Sequence, residues 1–120
     1  MIIAIHDVAP TVVAFKAIGE ITKKDYDSVV IPSIDNLVKR LGKIRFLLLL
    51  DTEVKKYNSG AWFEDALAGV NYFSKWHKMA IISDQEVVRR FTRAFSFIAP
   101  GEAKVFLKNE FEKAKGWVAS

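Results

Sequence analysis

Cysteine is absent from this chain of 120 residues. Its absence excludes disulfides, thiolate nucleophiles and cysteine-ligated metals, and nothing indicates an oxidising compartment. Only two histidines occur, His6 and His77, and neither has a second histidine or a carboxylate at the usual spacing of a metal site or of a nucleophile and its base. We therefore expect no metal and no catalytic residue, with His6 on a strand and His77 in a surface turn.

Glycine is scarce as well, and the six glycines form neither a G-x-G-x-x-G fingerprint nor a P-loop. We therefore expect no dinucleotide-dependent enzyme and no cofactor. No apolar stretch approaches the ~20 residues that span a bilayer, and residues 1–7 lack the basic start and long apolar centre of a signal peptide. These features predict a cytoplasmic protein without a transmembrane segment.

The composition that remains is typical of one globular domain. Hydrophobic residues make up 51% of the chain, enough for one packed core, and the length is too short for two ordinary domains. We expect a single domain over residues 1–120. The net charge of +4 is spread along the chain, so it permits anionic partners without requiring them. Nucleic-acid binding is disfavoured because no recognised module is present.

The stretch Ile44–Asp51 is the element around which the rest of the chain is organised. Its apolar run, Phe46 to Leu50, shows no alternation, so both faces of the strand must be covered. This pattern predicts a central parallel strand.

Strand and helix signals alternate along the chain, which requires parallel pairing and right-handed crossovers. The predicted order is β-β-α-β-α-β-α-β-α, a mostly parallel five-stranded α/β sheet with an antiparallel N-terminal strand, packed by helices. Strands are predicted at 2–8, 12–18, 44–51, 79–83 and 103–107, and helices between Thr22 and Gly42 and at 61–74, 85–97 and 110–119.

Local signals place the ends of these helices. Thr22 and Asp25 favour the start of the first helix, whose apolar face runs from Tyr26 to Leu41, and Gly42 ends it. Pro32 lies within that helix, so we expect either a kink before it or two helices in succession. Asp84 is predicted to cap the third helix. For the last helix, the spacing of residues 109 and 112 favours a capping box.

Two carboxylates and three arginines are the candidate polar sites. Asp51 and Asp84 follow predicted parallel strands, where open α/β sheets form ligand crevices, and the competing interpretation is that they only open loops and cap helices. Arg89, Arg90 and Arg93 form a cationic cluster on the third helix. The cluster indicates either peripheral contact with anionic lipid head groups or a solvated helix face.

Several local strings resemble the SpoIIAA-like family, a branch of the STAS-type fold that is also compared with CRAL-TRIO lipid-binding domains. They are GEITKKDY at 19–26, IP at 31–32, GKIRFLL at 42–48, GAWFED at 60–65 and MAIISD at 79–84. The resemblance covers nearly the full length. It implies a small non-catalytic α/β domain that binds an apolar ligand or another protein.

The resemblance also indicates a regulatory position. In anti-anti-sigma members of the wider fold, a phosphorylatable serine lies in an Asp-Ser-Ser-Gly turn before the second helix. The corresponding place here is Asn58-Ser59-Gly60, which lacks the leading Asp-Ser pair. Ser59 is therefore either a switch or a helix cap.

Two functions follow as hypotheses. The first is a pocket for an apolar or lipid-like molecule between the second and third helices, and its alternative is that the aromatic residues there only fill the core. The pocket would be lined by Trp62, Phe63, Leu67, Phe73, Phe91 and Phe95. The second is a STAS-like regulatory module that docks a protein partner near Ser59. Exposed helix aromatics also suggest a homodimer.

Overall fold

A computed structural model describes residues 1–51, 73–97 and 101–120. In this part of the chain five strands form one sheet in the order β1-β2-β3-β4-β5. β1 (Ile2–Ile5) pairs with β2 (Val13–Ile18) in antiparallel fashion. β3 (Ile44–Asp51), β4 (Trp76–Ile82) and β5 (Glu102–Phe106) continue the sheet in parallel. The predicted mixed sheet, with its antiparallel first strand, is confirmed.

β3 is the central strand, as its apolar run predicts. Alternate side chains of β3 enter two separate cores, because successive residues of a strand point to opposite faces. The front face carries Phe46 and Leu48, and the back face carries Leu47. All three side chains are buried. Both faces of the strand are therefore covered, which explains why the run lacks alternation.

The front face is covered first by the helical segment that follows β2. It comprises α1 (Lys23–Asp25), a π-helical turn (Tyr26–Val30) and α2 (Ile31–Leu41). The expected disturbance before Pro32 takes the form of this π-helical turn, since a proline nitrogen cannot complete the ordinary α-helical ladder.

Capping at the two ends of this segment follows the local signals. The backbone N–H of Asp25 donates to Thr22 Oγ1 and the Asp25 carboxylate accepts from the Thr22 N–H, both at 3.1 Å. Gly42 ends α2 in the left-handed conformation with φ +72°. Leu41 was expected to face inward but is 46% exposed, because the last helical turn extends beyond the front core.

The second cover of the front face is α3 (Glu86–Ser96), whose Val88 and Phe95 are buried in the front core. β4 begins at Trp76, three residues before its predicted start at 79, so the prediction of a surface turn at His77 is wrong. Trp76 is buried edge-on against Phe46, with ring centroids 5.5 Å apart. That contact with another strand extends β4 and brings His77 onto it. His6 lies after the end of β1, so its prediction as a strand residue is also wrong.

The back face is covered by α4 (Phe111–Ala119), which follows a 3-10 turn at Lys108–Glu110. Ala114 and Val118 are buried there among Leu47, Ala80 and Ile82. The predicted capping box between residues 109 and 112 is wrong. The Glu110 carboxylate instead accepts from the Leu107 N–H at 2.8 Å, because the 3-10 turn shifts the start of the helix. Across the described ranges, no helix has the length and apolar character to span a membrane.

Candidate functional site

The candidate site lies at the carboxyl edge, by which we mean the edge where strands β2 to β5 end. Asp51 closes β3, and Asp84 comes two residues after β4 ends. Because parallel strands end on the same side of a sheet, both carboxylates were predicted at this edge, and the structure puts them there. Both residues are exposed.

Lys108 connects the two carboxylates. Its Nζ lies 2.6 Å from Asp51 Oδ1, and its backbone N–H donates to Asp84 Oδ1 at 3.0 Å. Lys108, which follows β5, therefore bonds both to the last residue of β3 and to a residue that follows β4. Asp84 does not cap α3 as predicted. The Ser83 hydroxyl accepts from the Gln85 N–H at 3.0 Å, while the Asp84 carboxylate is bonded to Lys108.

A second lysine completes the cluster. Lys16 Nζ on β2 lies 3.8 Å from Asp51 Oδ2. The hydrogen bond from Lys108, followed by the charges of Lys108 and Lys16, lowers the pKa of the Asp51 carboxyl from its ordinary value. We call Lys16, Asp51, Asp84 and Lys108 the edge cluster. Asp51 is thus held in its anionic form, while both of its cationic partners remain about 40% exposed (39% and 43%).

Sequence reasoning missed the lysines of this cluster. Lys108 follows β5 in the way that Asp84 follows β4, so the rule that selected the two carboxylates would also have found Lys108. Lys16 gives no such signal, because its position two residues before the end of β2 has meaning only once the strand order is known. Among the described residues, no group of histidines and carboxylates is arranged to hold a metal ion.

The residues predicted to line an apolar pocket fall into two groups. Trp62, Phe63, Leu67 and the regulatory candidate Ser59 lie outside the described residues, and Phe73 is described only by its backbone in a 3-10 turn. Phe91 and Phe95 lie on α3 with ring centroids 6.0 Å apart, and both pack into the front core.

A polar atom in the same core has no partner. Within the described part of the chain, the Trp76 Nε1 hydrogen is buried with no acceptor. An unsatisfied buried donor costs roughly 1–3 kcal/mol. The indole therefore has an unused hydrogen bond inside the core to which Phe91 and Phe95 belong.

The arginines of α3 differ in exposure, and Lys78, which is near them in the sequence, lies elsewhere. Arg90 and Arg93 are exposed and Arg89 is half-buried. Lys78 lies on the back face, where its Nζ donates to the carbonyl of Trp117 at 3.2 Å. Lys78 therefore does not add to the cationic surface of the α3 arginines.

Comparisons with known proteins agree with this fold. A family model described as SpoIIAA-like matches residues 12–119. The chain is also similar to an uncharacterised protein of the DUF3478 family from Shewanella loihica PV-4, whose crystal structure has a SpoIIAA-like fold. The two are 26% identical, the match covers 98% of this chain and 93% of that chain, and the TM-score is 0.67. No curated protein matches the chain.

Proposed function

The chain belongs to the SpoIIAA-like family, and from that premise we propose that it is a non-catalytic regulatory domain that docks another protein at the carboxyl edge of its sheet. The observation that supports this proposal is the edge cluster. Lys108 joins the ends of three strands at the point where β3 leads into the segment that contains Ser59.

The energetics of the cluster suit a docking surface. Ion pairs between exposed side chains stabilise a fold by only ~0–1 kcal/mol, so Lys16 and Lys108 can exchange Asp51 for an acidic group of a partner at little cost. The hydrogen bond from the Lys108 backbone N–H to the Asp84 carboxylate holds the start of the 3-10 turn in place during that exchange. The cluster thus offers two cations on a rigid base.

Ser59 is the proposed switch of this surface. A phosphoryl group on Ser59 would add close to two negative charges. The lysines of the edge cluster are the cations that such a charge would recruit, in competition with an acidic partner. Phosphorylation would then weaken docking.

A pull-down with the purified chain tests this function. Proteins retained by the wild type are quantified against those retained by Ser59→Asp, Ser59→Ala and Lys108→Glu. We expect one partner that Ser59→Ala retains at the wild-type level. Ser59→Asp and Lys108→Glu should each retain about tenfold less of it, because they place a negative charge against the acidic partner. The matched control is Lys113→Glu on α4, an exposed lysine outside the cluster that should retain the partner. Identical partners for all variants would exclude the switch, and the absence of any specific partner would refute the docking function.

A second function is supported by the unused Trp76 donor. We propose that an apolar molecule with one oxygen acceptor, such as a fatty acid, binds beside the front core next to Phe91 and Phe95. Native mass spectrometry of the protein after incubation with oleate tests this idea. Trp76→Phe keeps a ring against Phe46 but removes the donor, so it should weaken binding by about tenfold, the order expected for one buried hydrogen bond. Equal binding by both proteins, or none by the wild type, would contradict it.

A further inference from the structure

The outward face of α3 carries apolar side chains that the fold leaves uncovered. Phe97, directly after the helix, is 88% exposed, and Val87 in its first turn is 52% exposed. Exposed Ala94 lies between them along the helix, and exposed apolar side chains that line up in this way, unlike isolated ones, favour an interaction surface. The opposite side of the same helix is buried through Val88 and Phe95, so the helix is already anchored.

The spacing of this face is that of a helix-packing seam. Val87, Arg90, Ala94 and Phe97 are separated by three, four and three residues, the interval that aligns side chains along one side of a helix. Ala94 lies in the middle of the seam, and its small side chain allows another backbone to approach closely. We call these four residues the α3 seam.

Positively charged side chains on the seam and next to it indicate the charge of the partner. Arg90 and Arg93 are exposed, and in the described region Arg93 makes no ion pair while Arg90 lies 3.4 Å from Glu86 in an exposed pair. Such a pair contributes little and can be exchanged. The surface around the apolar residues is therefore cationic toward its C-terminal half, and it is complementary to an acidic partner.

We propose that the α3 seam docks an acidic amphipathic helix of another protein. This inference rests on the proposed docking function and adds a second surface, separate from the edge cluster, and a partner chemistry for it. Phe97 and Val87 would enter the apolar face of the incoming helix, and Arg90 and Arg93 would pair with carboxylates that flank that face. Aromatic residues and arginine are the residue types that contribute most at protein interfaces.

A membrane and a second copy of the chain fit the seam less well. Segments that bind anionic membranes through charge carry roughly four to eight lysines and arginines, whereas this face carries two arginines and an exposed glutamate, Glu86. Two copies packed seam to seam would bring the exposed Arg90 and Arg93 of each copy together, so like charges would meet. An acidic helix satisfies both the apolar and the cationic parts of the surface.

Photo-crosslinking in cells tests the proposal. A photoreactive benzoylphenylalanine is introduced at Phe97 in one variant of the chain and at Asn109, the exposed residue next to Lys108, in a second variant. The crosslinked peptides are sequenced by mass spectrometry. The expected product from position 97 is an acidic segment of helical periodicity in another protein. Arg90→Glu combined with Arg93→Glu should lower its yield by about tenfold, and reversing two carboxylates of the captured segment to lysine should restore it. The matched control, Lys24→Glu combined with Lys39→Glu, makes the same charge change on exposed residues of other helices and should leave the yield unchanged.

The alternative outcomes are distinguishable. Crosslinks from position 97 to phospholipid, together with sedimentation on phosphatidylglycerol-rich vesicles but not on phosphatidylcholine vesicles, would overturn the proposal in favour of a membrane. Crosslinks to another copy of the chain would overturn it in favour of a dimer. A protein captured from position 109 but not from position 97 would leave the docking function intact and refute the seam. No capture from either position would refute both.

Discussion

The two faces of the sheet are packed by different means. The front face buries large side chains, including Phe15, Phe46, Leu48 and Ile81, beneath helices that come from both sides of β3 in the sequence. The back face also buries Leu47, Ile82 and Phe106, but it combines them with small residues, Ala14 and Ala80 on the sheet and Ala114 on α4. Ala80 and Ala114 are both 0% exposed, so the helix and the sheet approach closely there.

This difference shows that one strand can serve two kinds of core. On the front, burial of large apolar area supplies the stabilisation. On the back, close approach of backbones leaves little room for change, because protein interiors pack as densely as organic crystals. Substitutions that remove side-chain volume should therefore lower stability most on the front face. Substitutions that add side-chain volume should lower it most on the back face.

The largest effect is expected from Phe46→Ala on the front face. Phe46 contacts Phe15 and Trp76, with ring centroids 5.7 and 5.5 Å away, and it is 1% exposed. Its truncation should lower the free energy of unfolding by about 3–5 kcal/mol, as measured by urea denaturation. The matched control is Phe97→Ala, the same change at an exposed side chain, which should change stability by less than about 0.5 kcal/mol. Comparable losses for both variants would contradict the assignment of Phe46 to the core.

The front face could be predicted from the sequence because its signals are local. The run Phe46 to Leu50 predicts a strand buried on both faces, and Thr22 with Asp25 predicts the start of the helical segment. Gly42 predicts its end, where the left-handed conformation disfavours residues with a Cβ atom. Each of these signals lies within one element, so no knowledge of the fold is needed.

Features that depend on contacts between distant residues could not be predicted. The start of β4 depends on the packing of Trp76 against Phe46, and the edge cluster depends on contacts between residues 57 positions apart. The role of Gly101 likewise depends on residues far from it in the sequence. A Cβ atom at Gly101 would lie 2.5 Å from the carbonyl oxygens of Trp76 and His77, so glycine is needed where the chain enters β5 beside β4.

The free energy of unfolding should depend on pH through Tyr26, which lies in the front core, and this effect should be of intermediate size. Burial of Tyr26 in the front core, with a smaller contribution from Asp27, raises the pKa of its phenol from 10.0 to about 12. Between pH 10 and 12 the unfolded chain loses this proton while the folded chain keeps it, so stability falls by about 1.4 kcal/mol per pH unit.

Denaturant titrations of wild type and Tyr26→Phe across that pH range test this expectation. The variant lacks the phenol, so the difference in stability between the two proteins should shift against the wild type as the pH rises. Lysines that deprotonate in the same range are present in both proteins and cancel in the comparison. Parallel pH curves would show that Tyr26 ionises equally well in the folded protein.

The smallest effect is expected on the back face, from the addition of volume. Ala114→Leu inserts three carbon atoms between α4 and the sheet, where Leu47, Ala80 and Ile82 are already in contact with the helix. Overpacking of this kind costs about 1–3 kcal/mol. The control is Ala94→Leu on the outward side of α3, where the larger side chain is exposed to solvent. Alanine already has the highest helix propensity, so leucine cannot stabilise the helix further. The free energy of unfolding should therefore change by no more than about 0.5 kcal/mol. If thermal unfolding showed Ala114→Leu to be as stable as that control, the back core would contain space, and close approach would not explain its small residues.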